Sequence, residues 1–212
     1  MLDECRRSFG EAHEKVVRTI RERLHLDPTG RPATSTGSII DKLKRESIRL
    51  SQVQDIAGCR IVVVDMLEQD RVVDSVCRLF PEASVVDRRA TPSYGYRAVH
   101  VIASVGGRLV EIQIRSRLQH LWAELSEKFS DVVDPAIKYG GGRENIPELL
   151  TASSIMVQEY ERVEKTWVSS TGEPGEARSG AEIRDTLTNM MEEIAHILAD
   201  LITTVERGRP AQ

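Results

Sequence analysis

The sequence predicts an α/β fold, helices packed on a sheet, on three observations. A β-branched run, Ile61-Val62-Val63-Val64, has the length of a strand. Two extended segments, Tyr96 to Val105 and Arg108 to Arg115, flank Gly106-Gly107, a dipeptide that suits a tight hairpin turn. Segments with apolar residues every three or four positions lie before, between and after these strands, as amphipathic helices require.

Taken in order, Leu2, Cys5, Phe9, Ala12, Val16, Ile20 and Leu24 form the stripe of a first helix that ends near Asp27-Pro28-Thr29-Gly30. A polar, turn-rich stretch from Gly30 to Ser38 leads into a short helix carrying Ile39, Ile40, Lys42, Leu43, Lys44 and Arg45, with Ser38 as its N-cap. The run Gly58 to Val64 then reads as a strand buried on both faces. Helical spacing returns with Val72, Val73, Val76, Leu79 and Phe80 until Pro81 stops it, and Ser84 to Val86 makes a short strand. In the hairpin, Val110, Ile112 and Ile114 fall on one face while Glu111, Gln113 and Arg115 fall on the other, so one face is core and one polar. Leu118, Leu121, Trp122, Leu125 and Phe129 define the next helix, and a long one follows the Gly140-Gly141-Gly142 loop, from about Pro147 to Trp167. The last helix, about Ala181 to Glu206, carries Ile183, Leu187, Met190, Ile194, Ile197, Leu201 and Val205 near heptad spacing.

At 212 residues, 40% hydrophobic and 29% charged, the composition is that of a globular protein, and with 4% aromatic residues Val, Ile and Leu must fill the interior. The segments divide into an amino-terminal helix over 1–28, a core over 29–133 and a carboxy-terminal helical extension over 134–212 with a mobile linker at 169–180. A net charge of −4, from 29 basic and 33 acidic residues, excludes a strongly cationic coat for nucleic acid but allows a local basic cleft. No apolar run approaches the roughly 20 residues needed to span a bilayer, and the charged start, Asp3, Glu4, Arg6 and Arg7, lacks a secretory core, so a cytoplasmic protein with no membrane partner is expected. Cys5, Cys59 and Cys77 are widely spaced with no ligating neighbours and read as reduced, mostly buried thiols.

Two carboxylates stand out, Asp55 immediately before a buried strand and Glu111 within the hairpin. Either Asp55 caps a turn and Glu111 faces solvent, or adjacent strands aim both into one cleft where they hold a hard cation such as Mg²⁺, which implies phosphate chemistry. Tyr96 and His100, four apart in one extended segment, share a face, where Tyr96 is either an edge aromatic or a stacking surface for a base. Arg60 is awkward in an apolar strand unless its guanidinium meets a phosphate or an aromatic plane. Lys42, Lys44 and Arg45 are either a solvated helix face or phosphate ligands at a helix start.

The strings Gln54-Asp55-Ile56-Ala57-Gly58-Cys59-Arg60-Ile61-Val62, Tyr94-Gly95-Tyr96-Arg97-Ala98-Val99-His100 and Glu111-Ile112-Gln113-Ile114-Arg115 closely resemble the synthetase domain of the RelA/SpoT family, over about Gly30 to Phe129. The terminal helices suit its small, single-domain alarmone synthetases. The resemblance implies a nucleotidyltransferase-like mixed sheet flanked by helices, and transfer of the β,γ-pyrophosphate of ATP to the 3′-hydroxyl of GDP or GTP. By matching position, it implies that Asp55 binds Mg²⁺ and that Glu111 assists the metal or deprotonates the attacking hydroxyl. Arg60 is matched to an arginine on the adenine, Lys42 to a lysine on the ATP phosphates, Tyr96 to the tyrosine on guanine, and His100 and Gln113 to the acceptor side. Arg31 matches, with a one-residue shift, the arginine of an ATP-clamping Arg-x-Lys pair; Thr34 stands where its lysine is expected, which leaves Lys44 or Arg45 to compensate. Arg88 and Arg89 stand near Thr91-Pro92-Ser93-Tyr94, where a lysine often holds the acceptor diphosphate. The alternatives are a toxic small synthetase that pyrophosphorylates the 3′ end of tRNA, and a degenerate nucleotide-binding module. Family tetramers built on carboxy-terminal helices imply a homo-oligomer.

Overall fold

In the computed structural model, residues 2–31, 57–142, 145–170 and 177–207 are described. They form two compact units, each with its own apolar core. The short helix expected around Ile39 to Arg45 lies outside the described residues.

The first unit comprises the described parts of Met1–Val63, Glu68–Arg88 and Ala98–Arg115. Its sheet has the order β1-β2-β5-β4-β3, from β1 (Thr29–Arg31), β2 (Ala57–Val63), β3 (Ser84–Asp87), β4 (Val99–Val105) and β5 (Arg108–Ser116). Helices α1 (Leu2–Leu24) and α2 (Met66–Leu79) supply the rest of its core. The β4–β5 hairpin turns as its glycines require: Gly106 and Gly107 have φ of 58° and 72°, which L side chains rarely adopt. Antiparallel pairing sets Val101 against Ile112 and Ala103 against Val110, and this face packs on Val16 and Ile20 of α1 and Val76 of α2. Fully buried Gln69 of α2 donates to the Ile114 carbonyl at 2.8 Å, so burial of its amide is compensated. Arg108 covers the Phe9 ring at 5.2 Å and donates to Ser8 Oγ, tying the hairpin to α1.

Three expectations for this unit need correction. β2 is buried on one face only: Ala57, Cys59, Ile61 and Val63 are buried, while Val62 is 42% exposed, because the apolar core of this unit lies on one side of the sheet. Its β-branched outer residues satisfy strand geometry rather than burial. Thr29–Arg31, read as the end of a helix and a turn, is an edge strand paired antiparallel to β2, with Gly30 so close to β2 that an added Cβ would lie 2.4 Å from the Gly58 carbonyl oxygen. β4 starts at Val99 rather than Tyr96, so Tyr96 and His100 do not belong to one strand.

The second unit comprises the described parts of Val64–Leu67, Arg89–Arg97 and Ser116–Gln212. Ser116 opens helix α3 (Arg117–Val132) with a capping box: its hydroxyl accepts from the Gln119 amide and the Gln119 side chain accepts from the Ser116 amide. A 3-10 turn, Pro135–Tyr139, ends on Gly140 at φ 74°. Helices α4 (Asn145–Ser170) and α5 (Ala177–Arg207) are longer than the sequence spacing indicates. Leu118, Trp122 and Leu125 of α3 join Leu150, Val157 and Tyr160 of α4 and Leu187, Ile194 and Leu198 of α5 in one core. The expected α5 stripe is also corrected: Met190 and Ile197 are 43% and 49% exposed, whereas Ala195 and Leu198 are buried. A straight helix advances 3.6 residues per turn, so a strict seven-residue pattern drifts off the buried face. Among the described residues no helix is long and apolar enough to cross a membrane.

Candidate active site

The polar face of the first unit's sheet gathers four side chains from two strands. Register sets His100 opposite Gln113 and Ile102 opposite Glu111, so residues 100, 111, 113 and 115 project on the side away from the core. His100 Nδ1 donates to Glu111 Oε1 at 2.9 Å, Gln113 Nε2 donates to Glu111 Oε2 at 2.8 Å, and Arg115 Nη2 donates to Gln113 Oε1 at 2.9 Å. The His100 and Glu111 side chains are 10% and 13% exposed, enough shielding for these bonds to hold geometry. On β2, a Cβ added at Gly58 would lie 3.1 Å from the Glu111 carbonyl oxygen, so glycine lets the strands meet beside this carboxylate. Arg60, two residues along β2, projects on the same side as Gly58 and is half-buried. The Cys59 thiol, on the core side, is pushed up to about 12 by burial and then by the Glu111 charge, and it is free and buried, as expected.

Tyr96 belongs to the second unit, in a turn with Tyr94 and Gly95 at φ of 52° and 87°. Ser93 and Tyr96 exchange backbone bonds of 2.9 and 3.3 Å, and Tyr96 packs partly buried on the second core. A Cβ at Gly95 would lie 2.7 Å from the Trp122 ring, so both conformation and space require glycine. The next residue, Arg97, is 7% exposed and bonded through each nitrogen: Nη1 on the Arg89 carbonyl at 2.7 Å, Nη2 on Gln158 Oε1 at 2.5 Å, and Nε on Ser154 Oγ at 3.3 Å. Close by in charge is Glu161, 4% exposed, whose Oε1 accepts from Ser116 Oγ at 2.7 Å and Gln119 Nε2 at 2.8 Å. Burial raises this carboxyl to about 7 against the opposing pull of those bonds and of Arg97.

The structure thus brings together His100, Glu111 and Gln113, with Arg60 on the same side of the sheet. Asp55, Lys42 and Lys44 lie outside the described residues, and Arg31 is placed by its backbone alone, paired with Gly58. Sequence reading missed the buried pairing of Arg97 and the acid Glu161; an arginine inside a glycine turn and a glutamate within an apolar helical stripe were the available signals. Among the described residues no three metal-type side chains cluster. The donor chemistry of Glu111 nevertheless suits Mg²⁺. Its two oxygens are held by His100 and Gln113, and magnesium is commonly held by one or two carboxylates plus substrate phosphates.

Residues 31–130 match the model of the region found in RelA / SpoT proteins. Uncharacterized proteins of Mycobacterium bovis and Mycobacterium tuberculosis are 37% identical over 135 residues, covering 62% of this chain and 48% of theirs. The chain therefore spans about half the length of the curated relatives it matches. Small alarmone synthetase 1 from Bacillus subtilis superposes with a TM-score of 0.57 at 24% identity, covering 76% of this chain and 94% of its own. The protein smu.1046c of Streptococcus mutans does so at 0.55 and 25% identity, covering 76% and 90%. These likenesses bear out the nucleotidyltransferase-like architecture that the sequence motifs imply. Residues 31–130 thus resemble the region found in RelA / SpoT proteins, and the chain has the fold of the small alarmone synthetases.

Proposed function

We propose that this protein is a cytoplasmic, Mg²⁺-dependent pyrophosphotransferase that moves the β,γ-pyrophosphate of ATP to the 3′-hydroxyl of GDP or GTP. The observation that supports it best is the hydrogen-bonded line Arg115–Gln113–Glu111–His100 on the polar face of a RelA/SpoT sheet. In this reading the 3′-oxygen bonds to the β-phosphorus, the bond from that phosphorus to the α–β bridging oxygen breaks, and AMP leaves with the electron pair. The hydroxyl proton passes to Glu111. Arg31, Lys42, Lys44 and Arg60 receive ATP; Tyr96 stacks the acceptor base, and His100 and Gln113 serve the acceptor. Asp55 and Glu111 would hold Mg²⁺, which supplies charge neutralisation on the transferred group when bound.

A carboxylate can only accept, so His100 carries its proton on Nδ1 and Gln113 turns its amide nitrogen to Glu111. Both bonds fix the carboxylate before substrate arrives, and positioning with charge neutralisation is most of what this chemistry needs. Self-association belongs to the same reading and draws support from Met190 and Ile197, exposed seven apart on α5; sedimentation as a monomer alone would remove it.

The test is incubation with γ-labelled ATP, Mg²⁺ and GDP, GTP or deacylated tRNA. Label on GDP or GTP with release of AMP is expected, and Glu111→Gln should lower the rate by about 10²-fold or more. Label on tRNA would give the acceptor role to RNA, and no labelled product with any acceptor would leave a nucleotide-binding module.

A further inference from the structure

We infer that helix α4 is the positioning element of the acceptor-side turn, with Gln158 and Ser154 setting the placement of Tyr96; this rests on Tyr96 as the acceptor-stacking residue. The turn does not hold itself. Two consecutive residues, Tyr94 and Gly95, have left-handed φ values, and the short bridge Ser93–Tyr96 spans them. What fixes it comes from one face of α4. Ser154 Oγ donates to the Gly95 carbonyl at 2.7 Å, just before Tyr96, and Gln158 Oε1 accepts from Arg97 Nη2, just after it. The floor under Gly95 is the Trp122 ring, whose Nε1 is held by the Leu150 carbonyl at 2.9 Å and Ser153 Oγ at 3.1 Å. Residues 150, 153, 154 and 158 recur at helical spacing, so a single rigid face clamps the backbone on both sides of the ring.

The chemistry of the clamp is one-directional. A guanidinium has five donors and no acceptor, so buried Arg97 takes the orientation that Gln158, Ser154 and the Arg89 carbonyl offer. Removing one acceptor leaves part of a buried charge unpaired and frees the turn. α4, Asn145–Ser170, lies wholly beyond the residues that match the family region, 31–130, so acceptor geometry is set in part from outside that region.

The experiment compares Gln158→Leu with Gln158→Glu, which keeps an acceptor oxygen for Arg97, in full-length protein. Gln158→Leu should raise the KM for the acceptor nucleotide about tenfold with the KM for ATP unchanged, and Gln158→Glu should restore it. Of the two tryptophans, Trp167→Phe leaves Trp122 as the sole emitter. In that background acrylamide quenching of Trp122 should rise in Gln158→Leu and not in Gln158→Glu, with far-UV circular dichroism the same in all three. An equal rise in both KM values, or quenching that Gln158→Leu leaves unmoved, overturns the inference. Should the parent protein transfer no label at all, the proposed reaction fails, and the quenching comparison still decides whether α4 positions the turn.

Discussion

Donor and acceptor inventories decide most of what the key residues do. In the line Arg115–Gln113–Glu111–His100 an all-donor group stands at one end and an all-acceptor carboxylate near the other, so the Gln113 amide has a single satisfying orientation. Arg115, 3% exposed, therefore acts on Glu111 through Gln113. Arg115→Met should lower kcat by about 10–100-fold, the usual cost of losing a supporting hydrogen bond behind a reacting or ligating group, with little change in the KM for ATP. Steady-state kinetics of AMP release is the check. Gly95 is governed by space. With φ at 87° and a Cβ position 2.7 Å from a ring that two hydrogen bonds hold still, Gly95→Ala should cost about 1–3 kcal/mol, read as a lower urea midpoint.

At the scale of elements, Glu161 joins α4 to the first turn of α3. Its Oε1 accepts from Ser116, the N-cap, and from Gln119, the partner in the capping box. Burial pushes its carboxyl up to about 7, well above the usual carboxylate range near 4.5, because it outweighs the bonds that favour the anion. A folded value above the unfolded one means that this stability is fully present below about pH 4.5 and is lost as pH rises through about 7. Glu161→Gln keeps an acceptor for Ser116 and cannot ionise. The stability of the parent, read from urea midpoints, should therefore fall more than that of the variant between pH 5 and pH 8, by an amount on the order of 2 kcal/mol. Elements of this kind were largely legible in the sequence: α1, α2, β3, the hairpin and α3 follow from period and turn chemistry, and so does the polar face bearing Glu111 and Gln113. What was not legible depends on partners distant in the chain. Val62 belongs to a β-branched run whether or not anything covers it, Thr29–Arg31 becomes a strand through pairing with β2, and Tyr96 leaves the strand because Gly95 turns over Trp122. Glu161 sits among the charged residues Glu159, Arg162, Glu164 and Lys165 of α4, and its partners Ser116 and Gln119 lie more than 40 residues away.

For the whole molecule the deciding quantity is charge. With 29 basic and 33 acidic residues the chain carries −4, so no long-range positive field gathers polyanions, and phosphate binding has to be local. A mononucleotide acceptor presents a few phosphates to a few side chains. A tRNA would need a tract of them, and neutralising six or more phosphates makes binding fall by about 10³-fold or more between 50 and 200 mM salt. Transfer measured at subsaturating acceptor across that range separates the two. If GDP or GTP is the acceptor, kcat/KM should change only a few-fold, roughly as one or two phosphate contacts require. A collapse of about three orders of magnitude on deacylated tRNA, with that RNA carrying the label at low salt, would instead mark a polyanion site that the net charge argues against.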